Sequence, residues 1–258
     1  MPRKRSPSVR PPPSSRLPPA MPRPLLVEGR PKNRLLSALP DEDFARISPH
    51  LTTVPMSVKA VLLKRGAPIR HVYFPNGGVC SVTAMMSDGL AVEVATVGDE
   101  GLVGIAAFFG GLVMPGESMV QVPDSSAERM PLEEFQRELE RRGALYDAVN
   151  RYAQGTMALM MQSTACMALH QVQERCCRWL LMTHDRIRSD QFSLSHEFLA
   201  MMLGSTRPTV TVVARSLQKA GIIKYIHGRI TILDRTRLEA TSCECYRSVK
   251  QEFDRLGL

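Results

Sequence analysis

No apolar run in the 258 residues approaches the ~20 that a helix needs to cross a bilayer. Nor is there a secretory signal, because Leu25-Leu26-Val27 is far too short for an apolar core region. Without such a signal the six cysteines read as free thiols in a reducing cytoplasm. A phosphate-cradling glycine loop, a nucleophile beside a base and a spaced metal-ligand set are also missing. That argues against an enzyme and against a bound cofactor. The first 34 residues hold one acidic side chain, Glu28, against nine basic ones, and ten of the 19 prolines. Such a stretch cannot bury enough surface to offset its ordering entropy and reads as disordered. Two readings of it stand: a basic tail that adds phosphate contacts to a polyanionic partner, or a start of translation at Met21.

The charge that is present is unevenly placed. Residues 35–167 carry ten basic and fifteen acidic residues, net −5; residues 168–258 carry fourteen and nine, net +5. A polyanionic partner would be drawn to the carboxyl end and repelled by the middle.

The basic end contains the most informative stretch, Ser193 to Leu233. Ser195 can cap a helix that Glu197 supports from its first turn and Gly204 ends. Thr206 can cap a second helix, with Pro208 where a missing N–H costs little, running to Gly221. Ala200 and Gly204, one turn apart, leave room for close crossing; Leu199, Leu203, Val210, Val213 and Leu217 supply the apolar faces. Ile222 to Ile226 and Ile230 to Ile232 flank a turn at His227-Gly228-Arg229, giving a two-stranded hairpin. This is the pattern of a winged helix-turn-helix that binds double-stranded DNA through its second helix.

Upstream, Leu35 to Phe44 predicts one short helix. Strands are expected at 61–63, 72–74, 79–84, 90–97 and 118–122, separated by glycine-rich turns of which Asp88-Gly89 is the best hairpin. From about Ala144 to Met167 the period becomes helical. Two stripes fit a coiled-coil seam: Asn150, Ala153, Met157, Met160, Thr164, Met167, or Val149, Ala153, Thr156, Met160, Ser163, Met167. The helix packs either on its own barrel or on a second copy, and pairing to match two half-sites favours a homodimer. The fold class is therefore α+β: a tail (1–34), an antiparallel β-roll or jelly-roll barrel (35–142), a dimerisation helix (143–168), the winged helix-turn-helix (169–240) and a last helix or tail (241–258).

This order of parts resembles the Crp/Fnr family of transcription regulators over about residues 35–235. The resemblance rests on Leu62-Leu63-Lys64-Arg65-Gly66, Val72-Tyr73-Phe74, Gly77-Gly78, Val97-Gly98-Asp99-Glu100-Gly101 and Leu199 to Leu217. It implies effector-pocket candidates at Gly98, Asp99, Glu100, Gly101, Glu117 and Ser118. Cyclic-nucleotide-binding members hold the phosphate with an Arg-Ser pair, which falls at Glu117-Ser118 here. A carboxylate there repels the ligand, and residues 104–116 supply no Lys or Arg in its place. The amino-terminal cysteine cluster of oxygen-sensing members is absent, the first cysteine being Cys80. His50 and His71 match axial haem ligands only weakly. Cys176-Cys177 and Cys243-x-Cys245 read as structural thiols, since neither pair has a matched second pair.

On the second helix the resemblance makes Arg207 a base-reading arginine, with Pro208 and Val212 at positions that carry a glutamate and an arginine in the catabolite activator. Thr211 and Lys219 share the outward face. Ser205, Thr206, Thr209, Arg215, Lys224 and Arg229 are expected to grip phosphate. The expected function is a cytoplasmic, homodimeric DNA-binding regulator of unknown effector, with RNA polymerase a candidate partner. The alternative is a barrel that binds a nucleotide, haem or other small molecule and so controls DNA binding.

Overall fold

The computed structural model describes residues 29–123 and 126–258. Most of the basic tail, and the choice between its two readings, lies outside the described residues. Residues 30–34, assigned to that tail by composition, belong to the fold. Asn33 caps α1 (Arg34–Ser37), accepting from the N–H groups of Leu35 and Leu36 at 3.1 and 3.3 Å. Its amide donates to the carbonyls of Pro75 and Gly101 at 2.9 and 2.8 Å, so one buried side chain fastens the chain entry to the barrel. Pro40 breaks the expected single helix, and α2 (Asp41–Ile47) starts after it.

The barrel is two antiparallel sheets. One has the order β1 (Thr52–Pro55), β7 (Ser126–Pro131), β3 (His71–Pro75); the other β2 (Val61–Leu63), β6 (Glu117–Val122), β4 (Val79–Met85), β5 (Ala91–Val97). Val72, Phe74, Val79, Val97, Val120 and Met130 are buried between them. The Asp88-Gly89 turn joins β4 to β5 as expected, with Gly89 at φ +85°. Sequence reasoning missed β1 and β7, which lack an alternating apolar pattern. In β7 the polar residues are satisfied across the sheet, with Glu128 accepting from Thr53 and Asn76 at 2.8 and 2.9 Å.

Two helices follow, α3 (Leu132–Glu140) and the long α4 (Ala144–Leu169), whose 26 residues span about 39 Å. Beyond it lie α5 (Val172–Ile187), β8 (Gln191–Ser193), α6 (His196–Met202), α7 (Arg207–Lys219), β9 (Ile223–Ile226), β10 (Arg229–Ile232), α8 (Arg235–Thr241) and α9 (Cys245–Arg255). The wing is three-stranded, order β8-β10-β9, rather than the expected two, because Phe192 brings β8 alongside Ile230. Most of residues 241–258 form α9, which lies along α4, and a side-chain carbon added at Gly155 would sit 3.3 Å from the Phe253 ring.

Polar joints close the barrel onto α5. Arg186 donates to Glu100 Oε1 from two nitrogens, at 3.0 and 2.7 Å, and Arg188 meets Asp99 at 2.8 Å. Trp179 Nε1–H donates to Glu93 at 2.8 Å, and Ser81 donates to its other oxygen. Burial pushes the Glu93 carboxyl up to about 7, against those two hydrogen bonds. Glu93 thus holds its proton more tightly folded than unfolded. The fold gains from it at acid pH and loses that gain as pH rises from about 4.3 toward about 7. Glu93→Gln, which keeps an acceptor for Trp179 without charge, is expected to stabilise on the order of 2 kcal/mol at pH 8 and far less at pH 4. Urea unfolding at both values checks this; an equal effect at the two would contradict it.

Candidate nucleic-acid interface

The carboxyl-terminal unit is built from local signals. Ser195 accepts from the Phe198 N–H at 3.2 Å to start α6. Gly204 then turns the chain at φ +53°, with Ser205 N–H bonded to the Ala200 carbonyl at 2.9 Å. A side chain at Gly204 would be strained by that φ and would sit 2.5 Å from the Met167 methyl of α4. Thr206 accepts from the Thr209 N–H at 3.4 Å to start α7, with Pro208 in the first turn. Leu199, Ala200, Met202 and Leu203 of the first helix close on Val210, Val213, Ala214 and Leu217 of the second, over Ile223, Ile230 and Ile232 of the wing.

The opposite side of α7 is bare. Arg207, Pro208, Thr209, Arg215 and Lys219 are exposed, and Val212 is 65 % exposed, far more than an aliphatic side chain needs for folding. Thr206 is exposed and Ser205 half-buried at the turn. Thr211 stands apart from the rest. Its hydroxyl donates to the Arg207 carbonyl at 2.9 Å and meets His196 Nδ1 at 3.0 Å, so it braces the first turn of α7. His196, which sequence reasoning missed, stacks on Tyr225 of the wing at 4.1 Å. Burial, with Arg207 and Arg215 nearby, lowers its pKa. Its only sequence signal was its place at the start of α6. Gln218 fixes the wing from α7 by accepting the Tyr225 N–H at 2.8 Å. Lys224 and Arg229 are exposed on that wing beside Gln191, Ser193, His227 and Thr231.

The effector-pocket candidates are not brought together. Gly98, Asp99, Glu100 and Gly101 form the joint with α5, and Asp99 and Glu100 spend their charges on Arg34, Arg186 and Arg188. Burial works against the Glu100 charge, but Arg186 and Arg34 more than offset it and hold its pKa low. Glu117 and Ser118 lie toward the other end of the sheet. Val97 is level with Cys80 and Glu117 with Thr83, three positions along β4, or about 10 Å. Between Gly104 and Gly116 the chain makes a short 3-10 turn, Ile105–Phe109, with no basic side chain. His50 is 3.6 Å from Glu134 and His71 lies on β3 beside Tyr73, so the two histidines serve different surroundings. Cys176 and Cys177 are buried in α5. Cys243 and Cys245 instead meet Cys166 and His170, a grouping no sequence spacing suggested.

Residues 174–241 match the Crp-like helix-turn-helix domain. No curated protein matches the chain. Solved structures do. A transcriptional regulator of the Crp/Fnr family from Eubacterium rectale aligns over 81 % of this chain and 98 % of its own, with 18 % identity and a TM-score of 0.64. FixK2 from Bradyrhizobium japonicum aligns over 75 % and 98 %, with 17 % identity and a TM-score of 0.63. The c-di-GMP-responsive regulator CLP from Xanthomonas campestris aligns over 75 % and 99 %, at 16 % identity and a TM-score of 0.62. The chain has the fold of these Crp/Fnr-family structures, and residues 174–241 form a Crp-like helix-turn-helix domain at its carboxyl end.

Proposed function

We propose that this protein is a homodimeric, sequence-specific DNA-binding transcription regulator of the cytoplasm, with its effector unassigned and RNA polymerase a candidate partner. The observation that carries the reading is the exposed face of α7, where Arg207, Pro208, Val212 and Arg215 stand clear of a helix pair buried on its other side. Arg207, in the first turn, has the planar donor fork that meets guanine O6 and N7 together. Arg215, two turns on, and Lys224 and Arg229 on the wing suit phosphates. Ser205, Thr206 and Thr209 at the turn suit them as well. Val212 can meet only a thymine methyl, so the half-site differs from one read by an arginine there.

The second copy is argued from α4. Val149, Thr156 and Ser163 are buried within the chain, so that stripe faces inward. The bare stripe is Gln154, Met157, Met161, Thr164 and Ala168, continued by the half-buried Asn150, at spacings of four and three. It shares alternate positions with the other stripe. Met157 and Met161 are 60 % and 68 % exposed in one copy, and a partner helix would cover them.

Selection from random DNA is expected to enrich an inverted repeat whose half-sites are centred about 10 bp apart. Enrichment of no motif would contradict the reading. Met157→Glu with Met161→Glu is expected to give monomers in sedimentation and to lower affinity for the selected site roughly 10²-fold; a dimer in the double variant would place the interface elsewhere. Arg207→Ala should cost about 1–3 kcal/mol at one base pair per half-site and relax specificity there. Arg215→Ala should weaken all sequences alike and reduce the salt slope by roughly one. A uniform loss for Arg207→Ala over a series of site variants would make it a phosphate contact. Cyclic AMP and cyclic GMP are expected to bind no tighter than about 1 mM, because Glu117 stands where phosphate would need a cation. Calorimetry showing micromolar binding would overturn that.

A further inference from the structure

Behind the DNA-binding unit, α4 ends at Leu169, the chain bends at His170 with φ −105° and ψ 150°, and α5 begins at Val172. Cys166 and His170, one turn apart, lie at this bend against Cys243, in the link between α8 and α9, and Cys245, the first residue of α9. One ligand atom from each of the four lies within 4.8 Å of all the others. Cys166 Sγ and Cys243 Sγ are 3.5 Å apart, and so are Cys245 Sγ and His170 Nδ1. The three cysteines form a small buried cluster separate from the main core, made of sulfur alone where packing would ordinarily use aliphatic groups.

We propose that Cys166, His170, Cys243 and Cys245 bind a tetrahedral divalent zinc-type ion. A Cys3His set is a common structural zinc site, and tetrahedral Zn–S bonds of about 2.3 Å place their sulfurs about 3.8 Å apart. The spacing found here needs only a small adjustment to reach that. The surroundings are those of a ligand set. His170 Nε2 lies 3.1 Å from Glu244, so its N–H is given to a carboxylate and Nδ1 is left as the free lone pair beside Cys245. Gln162 donates to Cys245 Sγ at 3.0 Å. Three thiolates and a divalent cation leave one negative charge. Arg178 stands near with only 3.4 Å contacts to Ser163 and a buried Nε that has no partner.

Other uses of the four groups explain less. A Cys166–Cys243 disulfide would leave the convergence of the third thiol and the imidazole without purpose. An iron–sulfur cluster needs ligands spread over more than one iron, whereas these four atoms converge on one point. The ion would fasten the end of α4 to the start of α9, holding the bend ahead of α5 at a fixed angle. That is a structural role, requiring no exchange of electrons.

The test is elemental analysis of the full chain purified under reducing conditions, followed by replacement with Co(II). About one zinc per chain is expected, with thiolate-to-cobalt charge-transfer bands after exchange. Glu244→Gln, a change at an exposed carboxylate, is expected to weaken metal affinity roughly 10-fold to 100-fold. Cys243→Ser with Cys245→Ser should abolish binding, while Cys80→Ser, in the barrel, should retain it. Should the double variant fail to fold, titrating the wild-type protein with a mercurial settles the matter, since release of zinc in step with thiol modification supports the site. The proposal is overturned by absence of metal together with failure to take up Co(II), by a Cys166–Cys243 disulfide in the reduced preparation, or by an iron–sulfur absorption spectrum.

Discussion

A buried carboxylate facing a buried guanidinium decides how the two halves of this chain sit. Glu100 is 2 % exposed and Arg186 reaches it from α5 with two hydrogen bonds. Neither charge could be left in that place alone, because removing one partner of such a pair typically costs about 3–5 kcal/mol. The glycines of the same turn follow from it. A side chain at Gly98 would lie 2.6 Å from Arg186 Cδ, and one at Gly101 would lie 2.2 Å from the Tyr152 ring of α4. The turn is bare so that an arginine stem and a phenol ring can lie against its backbone. Arg34 and Arg188 extend the joint on either side through Asp99.

That joint also shows what a sequence can and cannot reveal. The α6–α7 unit was legible because its signals are local: Ser195, Gly204, Thr206 and Gly221 stop and start helices within a few residues of the groups they serve. So was α4, whose apolar period is written along one helix. Glu100 and Arg186 are 86 positions apart, and a Gly-Asp-Glu-Gly turn carries no mark of its distant partner. The turn was therefore read as a ligand loop by likeness alone. The same limit hid β7, whose polar residues are satisfied from other strands, and β8, three residues paired to β10. Cys166 and Cys243, 77 positions apart, looked like unrelated thiols until the fold set them side by side.

Three of the contacts that link the barrel and its long helix to the helix-turn-helix unit are the Glu100–Arg186 joint, Met167 beneath Gly204, and the cysteine–histidine cluster at the bend. Each fixes a different degree of freedom. The first sets where α5 meets the barrel, the second where the turn between α6 and α7 rests on α4, and the third the angle at His170. An event in the barrel that is to alter α7 has to shift contacts such as these, together with Trp179 on Glu93 and Lys59 over the Phe198 ring, since coupling needs an element that both sites bias.

The most direct measurement is a double-mutant cycle on the joint itself, with Glu100→Gln, Arg186→Gln and the two together compared by urea unfolding at neutral pH. If the pair organises the junction, each single change is strongly destabilising and the double change costs much less than their sum, with a coupling energy of about 2 kcal/mol or more. Additivity within about 0.5 kcal/mol would contradict it and leave the apolar packing of α4 and α5 as what holds the halves together.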